Sequence, residues 1–152
     1  MNLMLDHAIQ FAKCEGFSKV QSLFDLDLKR IPKLPGAYVI LAADGTSFVY
    51  PVGTSPVFYI GQTDDLQERL CEHRRVISLA RDPDRRKPLH KRVWEYGAAF
   101  GACVSYIRTL EEQRAKDLED RLQALFAKVH RSTPVANNSA SYKRARKIIE
   151  ED

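Results

Sequence analysis

Apolar positions first recur at helical spacing in residues 3–15, where Leu5, Ile9 and Ala12 share a face with Ala8 beside them, and the pattern stops at Gly16. A second short helix is expected over 17–24. Ile31-Pro32-Lys33-Leu34-Pro35-Gly36 reads as a rigid turn. It enters residues 36–42 (GAYVILA), which are apolar and β-branched and predict a buried strand. Residues 57–61 (VFYIG) predict a second strand, and a hairpin between the two is the simplest topology. The connection over 43–56 holds Asp44-Gly45, Gly53 and Pro56 and is expected to be irregular.

Thr63-Asp64-Asp65 offers several helix N-caps, and Asp64 with Gln67 fits a capping box, so a helix should run to about Ala80. Residues 81–88 form a basic loop with Pro83 and Pro88, and a short helix over 89–96 is expected to end at Gly97. Residues 102–109 (ACVSYIRT) read as a third strand. The clearest helix is 111–130, with Ala115, Leu118, Leu122, Leu125, Phe126 and Val129 on one stripe and Pro134 beyond its end. A charged tail, 139–152, is expected to be helical and peripheral. The order is helix, strand, strand, helix, helix, strand, helix.

A length of 152 residues predicts one domain with a sizeable core. With 44% hydrophobic and 29% charged residues the balance is that of a soluble protein, and no apolar run nears the ~18 residues of a membrane span. The amphipathic N-terminus lacks a basic leading region and carries Asp6, so it does not read as a signal peptide. Cys14, Cys71 and Cys103 are odd in number and share no short spacing, against a disulfide framework or a zinc site. They are expected as small buried hydrophobes in a reducing cytoplasm. The net charge of +4 is unevenly spread. Residues 67–92 hold nine Lys/Arg and four Asp/Glu, or +5, which leaves −1 for the rest. Such a stretch suits phosphates, or else is a solvated helix face and loop.

Candidate chemistry lies on predicted elements. Each of the first two strands presents a tyrosine, Tyr38 and Tyr59. Arg69 and His73, four apart, project from one helix face. Glu119 sits at the rim of the apolar stripe of 111–130, where a carboxylate is partly desolvated and costly unless paired or metal-bound. Asn137 follows Pro134 by three residues.

Gly36-Ala37-Tyr38, Tyr59-Ile60-Gly61, Arg69, His73, Glu119 and Pro134-x-x-Asn137, in that order, resemble the GIY-YIG nuclease domain. The match spans residues 35–138, about two-thirds of the chain. Ala37 replaces the isoleucine of the first motif, and 20 residues separate Tyr38 from Tyr59, a long connection for the family. The insertion is expected to cover the site or contact substrate.

The resemblance implies an α+β fold, a three-stranded antiparallel sheet flanked by helices. An N-terminal helical extension (1–34) and the tail (139–152) lie outside the nuclease domain. It also implies an endonuclease that hydrolyses phosphodiester bonds in DNA, RNA not being excluded, with one divalent cation, Mg²⁺ or Mn²⁺, held by Glu119. Arg69 would hold the scissile phosphate. Tyr38 would be the general base, its phenol acidified by a metal-rich, cationic site. Tyr59 would position water or phosphate, and His73 would share the base role or bind phosphate. Asn137, counted in the family's site, would fix the helix end near Glu119. Lys87, His90, Lys91 and Arg92 are candidates for backbone contacts to the nucleic acid. Rival readings are a catalytically inactive nucleic-acid-binding module of the same fold and a protein-interaction domain whose basic stretch meets an acidic partner.

Overall fold

A computed structural model describes residues 16–84 and 91–151 of the chain. The helix expected over 3–15 lies outside the described residues. The fold among them is α+β, with strands β1 (Gln21–Ser22), β2 (Gly36–Leu41), β3 (Phe48–Val49), β4 (Thr54–Ser55), β5 (Val57–Thr63) and β6 (Cys103–Arg108). The helices are α1 (Leu66–Ala80), α2 (Arg92–Phe100), α3 (Glu112–His130) and α4 (Ser139–Glu151). The main sheet runs β1-β6-β2-β5 and every neighbouring pair is antiparallel. No helix among the described residues is long and apolar enough to cross a membrane.

The sheet has four strands and not the expected three. The fourth is β1, within the segment expected to be helical over 17–24. Its backbone groups are spent on β6: Ser18 N–H donates to Tyr106 O at 2.8 Å and Leu23 N–H to Ala102 O at 2.9 Å. Side chains add to this, with Tyr106 N–H bonding Ser18 Oγ at 3.0 Å and Ser105 Oγ bonding Ser18 O at 2.6 Å. An open edge on β6 would leave polar groups unpaired, and this long-range pairing outweighs a weak local helical preference.

All six residues of β2 are buried, because helices cover both faces of the sheet. On one face Tyr38, Ile40 and Phe58 pack with Leu66, Leu70 and Ile77 of α1, Val93 of α2, and Leu23, Leu26 and Ile31 of the N-terminal segment. On the other, Ala37, Val39, Ile60 and Ile107 pack with Leu118, Leu122 and Phe126 of α3. Opposite Ile40 stands Tyr59 and opposite Leu41 stands Val57, so Phe58 is the extra residue of a β-bulge.

Two boundaries differ from expectation. Helix α1 is capped by Asp65 and not Asp64: the Asp65 carboxylate accepts from Glu68 N–H at 3.0 Å. Gln67 is thereby released to donate to Leu28 O and Ile31 O at 2.8 and 3.1 Å. Helix α2 runs through Gly97 and stops before Gly101. Gly97 is there for packing, since a Cβ at that position would lie 2.6 Å from Ile77 Cδ1. Of the cysteines expected to be buried, Cys71 is exposed on α1 and Cys103 is half-buried, both with free thiols. Cys14 lies outside the described residues.

The 43–56 insertion folds onto the body by two aromatic anchors. Phe48 meets Phe58, Tyr96 and Phe100 edge-on, and Tyr50 donates its hydroxyl to Val57 O at 2.7 Å. Its tip is tied to the C-terminal end of α3, where Val52 N–H reaches His130 O at 3.2 Å. Eleven residues of helix separate His130 from Glu119, about 16 Å along the axis at 1.5 Å per residue. The insertion therefore does not cover Glu119.

Nor is α4 peripheral. Ala145 is 1% exposed and packs with Ala124 and Ala127 of α3, with Ile148 and Ile149 around them. Three alanines at one contact let the helices approach closely. Ala145→Leu should overfill that contact and cost about 1–3 kcal/mol, read as a lowered urea midpoint. An unchanged midpoint would mean that α4 contributes nothing to the folded state.

Candidate active site

Tyr38 lies opposite Gly61 on β5, and Tyr59 opposite Ile40 on β2, so the two tyrosines stand diagonally on one face of the sheet. Their ring centroids are 6.0 Å apart. Gly61 makes this possible. A Cβ there would lie 2.7 Å from Tyr38 Oη and 2.8 Å from Tyr59 Cε1. The glycine of Tyr59-Ile60-Gly61 thus leaves the space that both rings use.

Helix α1 brings Arg69 and His73 to the same place from consecutive turns. His73 is 1% exposed, and its Nε2 lies 2.8 Å from Tyr38 Oη. Its other nitrogen, Nδ1, accepts from the indole N–H of Trp94 at 3.1 Å. Lys91 Nζ lies over the Trp94 ring, 4.9 Å from its centroid. Arg69 is about one-third exposed and pairs with Glu72 at 3.6 Å. It is close enough to Tyr38 and Tyr59 for its charge to act on both phenols.

Glu119 reaches the site from α3. Burial raises its carboxyl above the ordinary range, and a hydrogen bond from Gln123 Nε2 at 3.3 Å partly offsets this. Its charge is felt by both phenols. The charge of Arg144, itself paired with Asp120 at 3.4 Å, also lowers the Glu119 carboxyl, and among the described residues no group of three or more His, Cys, Asp and Glu forms a closed metal cage. The donors present are hard oxygens: a partly desolvated carboxylate within electrostatic reach of two hydroxyls. That set fits a cation such as Mg²⁺, which keeps several waters and needs as little as one protein carboxylate.

The phenols are not acidified by the protein itself. Burial, then Tyr59, raises Tyr38 well above its usual value, with Arg69 pulling the other way. Burial, then Glu119, raises Tyr59 as well, against Tyr38 and Arg69. With the protein's own groups alone, full enclosure of Tyr38 outweighs the one guanidinium beside it. Burial works against the Arg69 charge, but Tyr38, Glu72 and Tyr59 outweigh it and keep the guanidinium protonated. His73 moves the other way, down to about 3, through burial first and then Arg69 and Lys91.

Asn137 has a different task from the one expected. It is buried against the exposed edge of β5, not at the helix end near Glu119. Its Oδ1 accepts from Ile60 N–H at 3.0 Å and its Nδ2 donates to Ile60 O at 2.9 Å. Ala136 N–H adds a bond to Phe58 O at 2.9 Å. The amide substitutes for a neighbouring strand and fixes the backbone between Tyr59 and Gly61. It positions the site through the backbone of Ile60.

Lys91 and Arg92 are exposed at the start of α2, and Lys87 and His90 lie outside the described residues. Two of the basic residues of 67–92 serve the fold. Arg74 donates to Leu26 O at 3.0 Å, and the Arg81 guanidinium covers Phe24 at 4.1 Å. Trp94 escaped the sequence reading. Its only signal was being the one tryptophan in the chain, just after the basic stretch. Scans against protein-family models, curated proteins and solved structures return no match for this chain.

Two outcomes test this geometry. Gly61→Ala should cost about 1–3 kcal/mol by forcing the tyrosines apart, measured by urea unfolding; no cost would mean the rings are not in contact through this gap. For His73, the folded pKa near 3 lies below the unfolded value near 6.5. Between those values the unfolded chain binds a proton that the folded one refuses. Its stabilising contribution is whole above pH 6.5 and falls with acid by up to about 1.4 kcal/mol per pH unit. Subtracting the urea-derived stability of His73→Gln from that of the parent at pH 4.5–7.5 should expose this slope, and a flat difference would contradict it.

Proposed function

We propose that this chain is a GIY-YIG-type endonuclease, a hydrolase that cuts phosphodiester bonds in DNA with the help of one divalent cation. The observation that carries the reading is the convergence of Tyr38, Tyr59, Arg69, His73 and Glu119, which come from four elements and span 82 residues of sequence. No packing requirement alone assembles two phenols, a guanidinium, an imidazole and a carboxylate around one buried hydroxyl. Phosphodiester hydrolysis needs groups of each of these kinds.

Glu119 would hold Mg²⁺ or Mn²⁺, with water completing the coordination. When bound, the cation supplies positive charge that stabilises the five-coordinate phosphate and acidifies nearby hydroxyls. Arg69, charged and reaching solvent, binds a non-bridging phosphate oxygen and opposes the charge that builds up there. A water oxygen attacks phosphorus and the P–O ester bond breaks. Tyr38 is a neutral phenol in the cation-free protein; with the cation bound it would give up its hydroxyl proton to solvent, and its Oη would then take the proton of the attacking water while the departing oxygen takes one from solvent. Tyr38 is fully enclosed, so that water enters beside the half-buried Tyr59, whose hydroxyl orients it. Lys91 and Arg92, with Lys87 and His90, contact flanking phosphates through charge.

Supercoiled and linear DNA should be cut in Mg²⁺ or Mn²⁺ and left intact in EDTA. Glu119→Gln should remove metal-dependent cutting, and Tyr38→Phe should slow it by about 10²–10⁴-fold, the usual contribution of a general base. Undiminished cutting by Glu119→Gln would end the metal-ligand assignment. Binding of DNA without cutting by the parent chain would favour the inactive binding module.

A further inference from the structure

The indole nitrogen of Trp94 carries one hydrogen and cannot accept a hydrogen bond. Its 3.1 Å contact with His73 Nδ1 therefore requires a lone pair on Nδ1. A neutral imidazole has a single N–H, so that hydrogen must sit on Nε2. Nε2 in turn lies 2.8 Å from Tyr38 Oη. The alternative tautomer would set two N–H groups against each other at the Trp94 contact. A charged imidazole would do the same, and it would do so while buried beside Arg69.

We propose that Trp94 is a positioning residue that locks His73 as the Nε2–H tautomer, so that His73 donates a hydrogen bond to Tyr38 and does not accept a proton from it. The chain of donors runs one way, from Trp94 to His73 to Tyr38. Tyr38 then keeps its own hydroxyl hydrogen free for the site, where Tyr59 and Arg69 stand. An oxygen that already accepts from His73 is better able to carry negative charge, so His73 supports Tyr38 as the base and is not one itself. Lys91, the residue just before α2, sets its ammonium over the indole of Trp94 in the first turn. The tautomer assignment stands on geometry alone; its kinetic consequence rests on the nuclease reading.

Nitrogen NMR of the intact chain with labelled histidine tests the assignment near neutral pH without DNA. His73 should show a protonated Nε2 correlated to its ring protons and an unprotonated Nδ1. A proton on Nδ1, or on both nitrogens, would overturn the proposal. Trp94→Phe keeps the ring and removes the N–H. It should convert the single tautomer into a mixture and lower kcat about tenfold, the rate equivalent of one hydrogen bond, with KM for DNA unchanged. A single Nε2–H tautomer persisting in that variant, with kcat intact, would remove Trp94 from the role. If the parent chain does not cut DNA yet shows the assigned tautomer, the nuclease reading fails and this assignment survives. If Trp94→Phe does not fold, the spectrum of the parent still decides the tautomer.

Discussion

The 2.8 Å hydrogen bond between Tyr38 and His73 is the contact that the rest of this molecule is arranged to protect. Both partners are essentially without solvent exposure, so each polar atom left unpaired there would cost about 1–3 kcal/mol. The fold avoids that cost by closing the sequence of partners: Trp94 satisfies the far nitrogen of the imidazole, and Tyr38 the near one. The same enclosure that makes the bond strong also raises the phenol and lowers the imidazole, so both groups are neutral in the folded protein. A neutral buried pair is far less costly than a charged one. That is why the charge of Arg69 beside it is found where solvent still reaches.

Placing those groups depends on features that are not themselves chemical. The bulge at Phe58 sends Phe58 and Tyr59 to the same face, whereas strict alternation would have opposed them. The edge of β5 is held by the Asn137 amide, which bonds both backbone groups of Ile60. Gly61 then leaves the gap through which the two phenols approach. These devices act within four consecutive residues of one edge strand, Phe58 to Gly61. Edge strands are the least constrained part of a sheet, and here the amide supplies the constraint that a further strand would otherwise give.

Much of this was legible in the sequence, and the failures have a common cause. The buried strand at 36–41, the strand at 57–63 and the long amphipathic helix at 112–130 follow from local periodicity, which the chain states outright. The grouping of Tyr38, Tyr59, Arg69, His73 and Glu119 was legible only as a resemblance, because nothing periodic links residues so far apart. β1 was misread because its strand character is conferred by β6, more than 80 residues away. Asn137 was recognised as a residue and misplaced in role, since a side-chain amide that imitates a strand leaves no pattern. Trp94 was missed because its contribution is a single hydrogen on one nitrogen. The Asp65 cap, one residue from the expected position, was a choice among adjacent equals.

The electrostatics of the site lead to one further conclusion about what it can accommodate. Glu119 is desolvated enough for burial to raise its carboxyl, and the Gln123 hydrogen bond and the Arg144 charge offset this only in part. A carboxylate in that position gains from any cation that approaches from outside. The guanidinium of Arg69, kept protonated by the phenols and Glu72, gains correspondingly from an anion. The site therefore holds one group that attracts positive charge and another that attracts negative charge, both acting on the same two phenols. A metal-bound phosphate brings both charges at once. Either ion alone would satisfy one group and leave the other as costly as before, so their binding should be mutually reinforcing through simple Coulomb attraction, without any change of shape.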